Sequence, residues 1–89
     1  MENRKADFGF DVKVLARRGQ AVYDQELRAA LEPRHHGRFV AIEPDTKQYW
    51  IGATVEEACR QACAALPGKF FHLIRIGSPT AHTARCLRH

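Results

Sequence analysis

The region of residues 36–77 constrains the fold of this chain most strongly, because it spells two strands, a helix and a third strand in one series. Residues 38–43 and 48–51 are rich in β-branched and aromatic side chains and flank a turn at residues 44–47. After the helix, residues 70–76 form a third apolar run. The sequence therefore predicts a hairpin, a crossing helix and a third strand, which together make a β-β-α-β module.

The helix of this module has clear start and stop signals. Thr54 is placed to cap the amide of Glu57 with its hydroxyl, and the Glu57 carboxylate is placed to return to the Thr54 amide. Pro67 and Gly68 end the helical pattern. The residues that recur at helical spacing on one face are Val55, Ala58, Cys59, Ala62 and Leu66. Only this face of the helix is suited to pack on the sheet.

A second helix is predicted before the module, over residues 12–31. Its apolar residues at mostly helical intervals are Val12, Leu15, Val22, Tyr23, Leu27, Ala30 and Leu31. Gly19 is expected to divide this helix into a short lead and a main part, and Pro33 is expected to end it. Residues 8–14 also alternate with period two, so a short strand there is the alternative. Residues 1–10 are expected to form a flexible lead.

The predicted strands are apolar on both faces, which decides how they must be covered. In the third strand Phe71 and Leu73 lie on one face, and Phe70 and Ile74 lie on the other. One short helix covers only one face, so the N-terminal helix or a partner subunit must cover the second. We predict an α+β fold with an N-terminal helix and a three-stranded, mainly antiparallel sheet. The expected strand order 2-1-3 leaves two open edges.

Length and composition indicate one ordinary globular domain. The 89 residues suffice for a single domain, in which residues 38–77 form the module and residues 78–89 a basic tail. Hydrophobic and charged shares of 45% and 27% argue against a disordered chain. No apolar run approaches the roughly 20 residues of a membrane helix, and no secretory apolar core follows Met1. We therefore expect a cytoplasmic protein with no membrane partner.

The cysteines and histidines contain one candidate metal site. Three cysteines do not form the even disulfide framework of a secreted protein, so reduced thiols are expected. The pairs Cys59 with Cys63 and His82 with Cys86 offer four soft ligands that suit zinc. One observation argues against zinc: Cys59 lies on the apolar face of the predicted helix, where a reduced cysteine acts as a small hydrophobe. We predict no metal and no cofactor, and keep zinc as the alternative.

Enzymatic chemistry has no recognisable residue pattern in this sequence. The single serine, Ser78, lies outside a nucleophile elbow, and neither a phosphate-binding glycine loop nor a paired-carboxylate motif is present. His72 is expected at the margin of the sheet, with its ring held by a polar neighbour. We therefore predict a non-enzymatic protein, and no small-molecule substrate is identified.

Two parts of the sequence resemble known families. Residues 31–42, together with Tyr49, Gly52 and the run Arg75-Ile76-Gly77, resemble a group of small uncharacterised bacterial proteins of the domain-of-unknown-function class. That resemblance covers residues 17–77 and implies the same module without an activity. Residues 52–58, which follow the hairpin, are similar to the helix entry of HicB-type antitoxins, which neutralise RNA-cleaving toxins. This second resemblance implies a protein partner and an antitoxin-like or regulatory role.

The leading functional prediction is a small protein-interaction module, either a homo-oligomer or a partner of another bacterial protein. Large aromatic side chains dominate interface energetics, and the chain from Lys69 to the end carries no acidic residue within a net charge of +4. The predicted interaction residues are Tyr49, Trp50, Phe70, Phe71, Arg75, Arg85 and Arg88. The alternative is nucleic-acid binding, in which the arginines of the basic C-terminal segment contact phosphates.

Overall fold

The computed structural model describes the backbone of residues 12–78 and 81–85 and the side chains of residues 13–78. The helices are α1 (Val12–Val22), α2 (Arg28–His35) and α3 (Val55–Ala65), and a π-helical segment (Tyr23–Leu27) joins α1 to α2. The strands are β1 (Phe39–Glu43), β2 (Gln48–Gly52), β3 (Phe70–Arg75) and β4 (Ala81–Arg85). The predicted α+β fold, with an N-terminal helix and a β-β-α-β module, is confirmed.

The sheet has the order β2-β1-β3-β4, and each neighbouring pair is antiparallel. Val40 lies opposite Ile51 of β2 and Ile74 of β3, so the third strand lies beside the first as predicted. The fourth strand was not predicted. Its residues belong to the segment 78–89 that the sequence indicated as a basic tail, and their pairing with β3 corrects that prediction. Consequently β3 is not an edge strand.

Both faces of the sheet are covered by helices of the same chain. Under α1, the π-helical segment and α2 lies a cluster of Val22, Tyr23, Leu27, Leu31, Val40, Ile42, Ile74 and Ile76. Under α3 lies a second cluster of Ala41, Ala58, Ala62, Phe71 and Leu73. The alternation along β1 and β3 is the predicted period of two. The second face therefore needs no partner subunit, since the N-terminal helix already fills that role.

The N-terminal helix differs from its prediction in two places. α1 passes through Gly19 without a break. A Cβ at position 19 would lie only 2.4 Å from the Cβ of His72 on β3. The glycine therefore permits a close approach of α1 to β3 instead of dividing the helix. Pro33 lies inside the last turn of α2, which ends at His35 instead of at residue 31. A proline so close to a helix end removes one hydrogen bond and does not stop the turn already begun.

The alternative of a strand over residues 8–14 fails for its described part. Val12 to Val14 are helical, and residues 8–11 lie outside the described residues, as does the predicted flexible lead. The apolar alternation of a short segment does not distinguish a strand from the first turn of a helix that packs on one side.

The carboxylate of Glu43, which is 2% exposed, organises the hairpin turn. It accepts hydrogen bonds from the Thr46 amide at 2.9 Å and the Thr46 hydroxyl at 3.0 Å. Lys47 has a φ of +66°, the left-handed conformation for which the sequence would favour glycine. Asp45 pairs with Arg18 of α1 at 2.5 Å, and this guanidinium lowers the pKa of the Asp45 carboxyl. These contacts fasten the turn to the N-terminal helix.

The start of α3 confirms the predicted cap with one change. The Thr54 hydroxyl accepts the amide of Glu57 at 3.1 Å, but the Glu57 carboxylate accepts from the Ala53 amide at 2.6 Å instead of from the Thr54 amide. At the end of β2, a Cβ on Gly52 would lie 2.5 Å from the backbone nitrogen of Ala58. The small residue lets α3 turn back closely against the strand that precedes it.

Candidate functional site

The free side of β2 is an open row of backbone hydrogen-bonding groups. The Arg38 carbonyl accepts a 2.7 Å hydrogen bond from the Ile76 amide, so Arg38 faces β3. Alternate residues of an antiparallel strand direct their backbone groups to the same neighbour, so the β1 residues paired with Tyr49 and Ile51 also face β3. Tyr49 and Ile51 therefore direct their amides and carbonyls away from β1, to the free edge of the sheet.

One backbone carbonyl on this edge already has a hydrogen-bond partner. The Ile51 carbonyl accepts a 2.8 Å hydrogen bond from the side-chain amide of Gln61 on α3. Over the described ranges 12–78 and 81–85, no strand pairs with the outer side of β2, which leaves the Tyr49 amide and carbonyl and the Ile51 amide open. β2 reads Gln-Tyr-Trp-Ile-Gly and carries neither charge nor proline, the usual protections of an edge strand. This edge is suited to accept another strand.

A groove of about 430 Å³ with both apolar and polar lining lies beside the open edge, between β2 and α2. It is lined by Ala29, Ala30, Leu31, Pro33, Arg34, His35, Tyr49 and Ile51. Leu31 is buried, Ile51 is half-buried, and Tyr49 is 42% exposed. The side chains of Tyr49 and Ile51 point to the face of α1 and α2, because Ile51 packs against the core cluster on that face. The groove and the open edge therefore form one continuous surface.

The charged groups of this surface are basic. Arg34 and His35 lie in the last turn of α2 at the groove, and no acidic residue lines it. Arg34 is exposed and has no carboxylate within ion-pair distance in the part of the chain that the structure describes. By contrast, Arg18 pairs with Asp45, and Lys47 pairs with Glu26 at 2.8 Å. The groove therefore presents uncompensated positive charge next to apolar side chains.

A second polar cluster surrounds Tyr23 in the π-helical segment. The Tyr23 hydroxyl donates to the Glu32 carboxylate at 2.9 Å and accepts from the Gly77 amide at 3.4 Å. Burial raises the pKa of Tyr23, and the guanidinium of Arg28 lies 5.4 Å from its ring centre. Arg28 also pairs with Asp24, and this hydrogen bond lowers the pKa of the Asp24 carboxyl. Because Tyr23 is only 2% exposed, the cluster fastens the helix to the turn after β3.

His72 is a core histidine on β3. It is 4% exposed, so its expected position at the margin of the sheet is wrong, because β4 extends the sheet beyond it. The expected polar neighbour is present, since the Gln20 side-chain oxygen lies 3.2 Å from His72 Nε2. The amide nitrogen of Gln20 donates to Asp24 at 3.1 Å, so its oxygen faces the histidine. This orientation assigns a proton to His72 Nε2.

The predicted aromatic anchors do not form one surface. Tyr49 lies at the groove, whereas Trp50 is half-buried on the opposite face, where its ring meets Phe71 edge-on at a centroid distance of 5.7 Å. Phe71 is 0% exposed, so it is a core residue and not an interface anchor. Phe70 is half-buried at the start of β3. Of these residues, only Tyr49 belongs to the open edge and its groove.

The predicted basic residues are also separated. Arg75 is exposed at the end of β3, with its guanidinium 5.8 Å from the ring centre of Phe39. The backbone of Arg85 lies in β4 opposite Phe70, and its side chain lies outside the described residues. Arg88 lies outside the described residues altogether. The nucleic-acid alternative therefore stays a prediction.

The zinc alternative also depends on residues beyond the description. Cys59 and Cys63 are half-buried on α3 and pack against the cluster that contains Phe71. The side chain of His82 and all of Cys86 lie outside the described residues. Among the residues that are described, no group of three or more His, Cys, Asp or Glu side chains is placed to hold a metal ion.

The groove beside Arg34 was missed at the level of sequence. The sequence predicts that Pro33 ends the helix, and the orientation of a side chain beyond the end of a helix cannot be predicted from periodicity. The composition of β2 was the available signal, since an edge strand without charge or proline is unguarded. Its position at the edge followed from the predicted strand order.

No helix within the described residues has the length and apolarity needed to cross a membrane. Comparison of the chain with family models, with curated proteins and with solved structures finds no match. The resemblances to small uncharacterised bacterial proteins and to HicB-type antitoxins therefore stay predictions.

Proposed function

We propose that this chain is a non-enzymatic protein-interaction module that binds an extended segment of another polypeptide along β2. The added segment forms a fifth strand of the sheet and places alternate side chains over the groove between β2 and α2. The observation that carries the proposal is the coincidence of two features at one place. The open backbone groups of Tyr49 and Ile51 lie directly beside a groove that is lined in part by apolar side chains.

The geometry supports strand addition over docking on a sheet face. Both faces of the sheet are already packed under helices, so the remaining pairing capacity in the described residues lies at the two edge strands, β2 and β4, and the groove lies beside β2. A strand in antiparallel pairing exchanges hydrogen bonds with every second residue of its neighbour. Tyr49 and Ile51 are two such residues, and their side chains line the groove. Main-chain bonds would supply affinity, and the groove would supply selectivity.

Selection from a display library of short random peptides tests this proposal. We expect enriched peptides to alternate apolar and polar residues, as strands do. The tightest peptide, made with a fluorescent label, should then lose affinity for the variant Tyr49→Pro by about tenfold or more relative to Tyr49→Ala, measured by fluorescence anisotropy. Both variants lose the ring, but only proline removes the open amide, and its position on the free side leaves the pairing with β1 intact.

Circular dichroism must show that both variants keep the fold. Failure to enrich any peptide, or equal affinity of the proline and alanine variants, would refute strand addition at β2. Self-association through the same edge is a separate outcome. A dimer in light scattering that Tyr49→Pro dissociates and Tyr49→Ala does not would show that a second copy, and not another protein, occupies the edge.

A further inference from the structure

We infer that the segment bound at β2 is acidic, with a carboxylate that meets Arg34 beside the apolar side chains in the groove. This inference rests on the proposed function and adds the chemistry of the partner to it. The partner is a polypeptide in extended conformation whose side chains alternate, with apolar groups toward the groove and an Asp, Glu or terminal carboxylate at its α2 end.

The charges of the described residues carry this inference. The groove lining contains Arg34 and His35 and no acidic residue. Arg18 and Lys47 are neutralised within the chain by Asp45 and Glu26, whereas Arg34 and the exposed Arg38 have no carboxylate within ion-pair distance among the described residues. Arg34 is exposed and unpaired among the described residues, although it lies against apolar surface. A guanidinium in that position is suited to bind a carboxylate through two parallel hydrogen bonds.

The position of Arg34 sets where the carboxylate must lie. Arg34 lies in the last turn of α2, and the acidic residue of that turn, Glu32, is held by the Tyr23 hydroxyl and by Arg28. Leu31, a buried apolar residue of the groove lining, lies about one turn earlier on the same helix. An apolar side chain over Leu31 and a carboxylate at Arg34 therefore lie about one helical turn apart, roughly 5 Å. Neighbouring residues on one face of a strand lie about 6.5–7 Å apart, a difference that the long arginine side chain can span.

A second copy of the chain fits this requirement poorly. Each copy has a net charge of +4 and would bring the same basic groove to the contact. Its β2 offers no acidic side chain, since the strand reads Gln-Tyr-Trp-Ile-Gly. Charge complementarity therefore favours an acidic segment of another protein.

Charge reversal at the groove provides the test. Peptides selected on the unaltered protein should carry Asp or Glu at a constant offset from an apolar residue, and selection on Arg34→Glu should enrich Lys or Arg at that offset. The tightest peptide should bind Arg34→Glu about tenfold more weakly, and its Asn or Gln analogue should bind the unaltered protein about threefold more weakly. Arg60→Glu on the exposed side of α3 is the matched control, because it changes the net charge equally.

The outcomes separate this inference from the proposed function. Peptides that require the open Tyr49 amide but show no acidic preference would overturn the inference and leave strand addition standing. Equal loss of affinity in Arg34→Glu and Arg60→Glu would also overturn it, because overall charge would then explain the effect. Displacement of the peptide by a single-stranded DNA oligonucleotide, with a steep dependence on salt, would show that the groove binds a nucleic-acid backbone instead. Loss in Arg34→Glu alone supports the inference.

Discussion

Replacement of Phe71 by alanine is expected to lower the free energy of unfolding by about 3–5 kcal/mol, because its ring fills the core between β3 and α3. Phe71 is 0% exposed and meets the ring of Trp50 edge-on. A domain of this length has a total stability of only about 5–10 kcal/mol, so the loss is a large part of it. Urea unfolding followed by circular dichroism measures the change.

Phe70→Ala is the matched control, since it removes the same ring from a half-buried position one residue earlier. Its cost should be about half as large or less, because less apolar surface is uncovered. If Phe71→Ala leaves too little folded protein to measure, Phe71→Leu should still cost about 1–2 kcal/mol. A change below that of Phe70→Ala would mean that Phe71 does not fill the core, and would restore it as a surface anchor.

Gly19→Ala is expected to lower the free energy of unfolding by about 1–2 kcal/mol, although the same change usually stabilises a helix interior by about 1 kcal/mol. The added Cβ would lie 2.4 Å from the Cβ of His72, so α1 must move away from β3. The prediction thus reverses the sign that helix propensity alone would give. Thermal or urea unfolding of the two proteins measures it.

The same substitution in a protein that is also changed at position 72 identifies the cause of that loss of stability. In a His72→Gly background both the imidazole and the Cβ that would lie 2.4 Å from the new methyl group are absent, so Gly19→Ala should become neutral or stabilising. The coupling between the two positions should be about 1–3 kcal/mol. Stabilisation by Gly19→Ala in the unaltered protein would contradict the close packing of α1 on β3.

Much of the fold was predictable because short-range patterns determine it. The period of two in β1 and β3 placed Val40 and Ile74 on one face and Phe71 on the other, and the Thr54 cap marked the start of α3. The requirement for two covering layers followed from the same pattern. β4 could not be predicted in this way, since its sequence Ala-His-Thr-Ala-Arg has no strand-like apolar alternation and its pairing with β3 is a long-range effect.

The candidate site was predictable only in part. An open edge at β2 follows from the predicted strand order, and Tyr49 is among the predicted interaction residues. The position of Arg34 at the groove could not be predicted, because it depends on α2 continuing past Pro33 and on the distance between that helix and β2. Trp50 and Phe71 are predicted as interaction residues because they are large aromatics, a property that suits a core as well as an interface.

Amide hydrogen exchange at β2, followed residue by residue by NMR, tests the open edge most directly. In the free protein the Tyr49 and Ile51 amides should exchange at least about tenfold faster than the Trp50 amide, which pairs with β1. Saturation with a selected peptide should slow Tyr49 and Ile51 and leave Trp50 unchanged. Slow exchange of Tyr49 in the free monomer, or protection by the peptide at α1 and α3 instead of β2, would contradict the account.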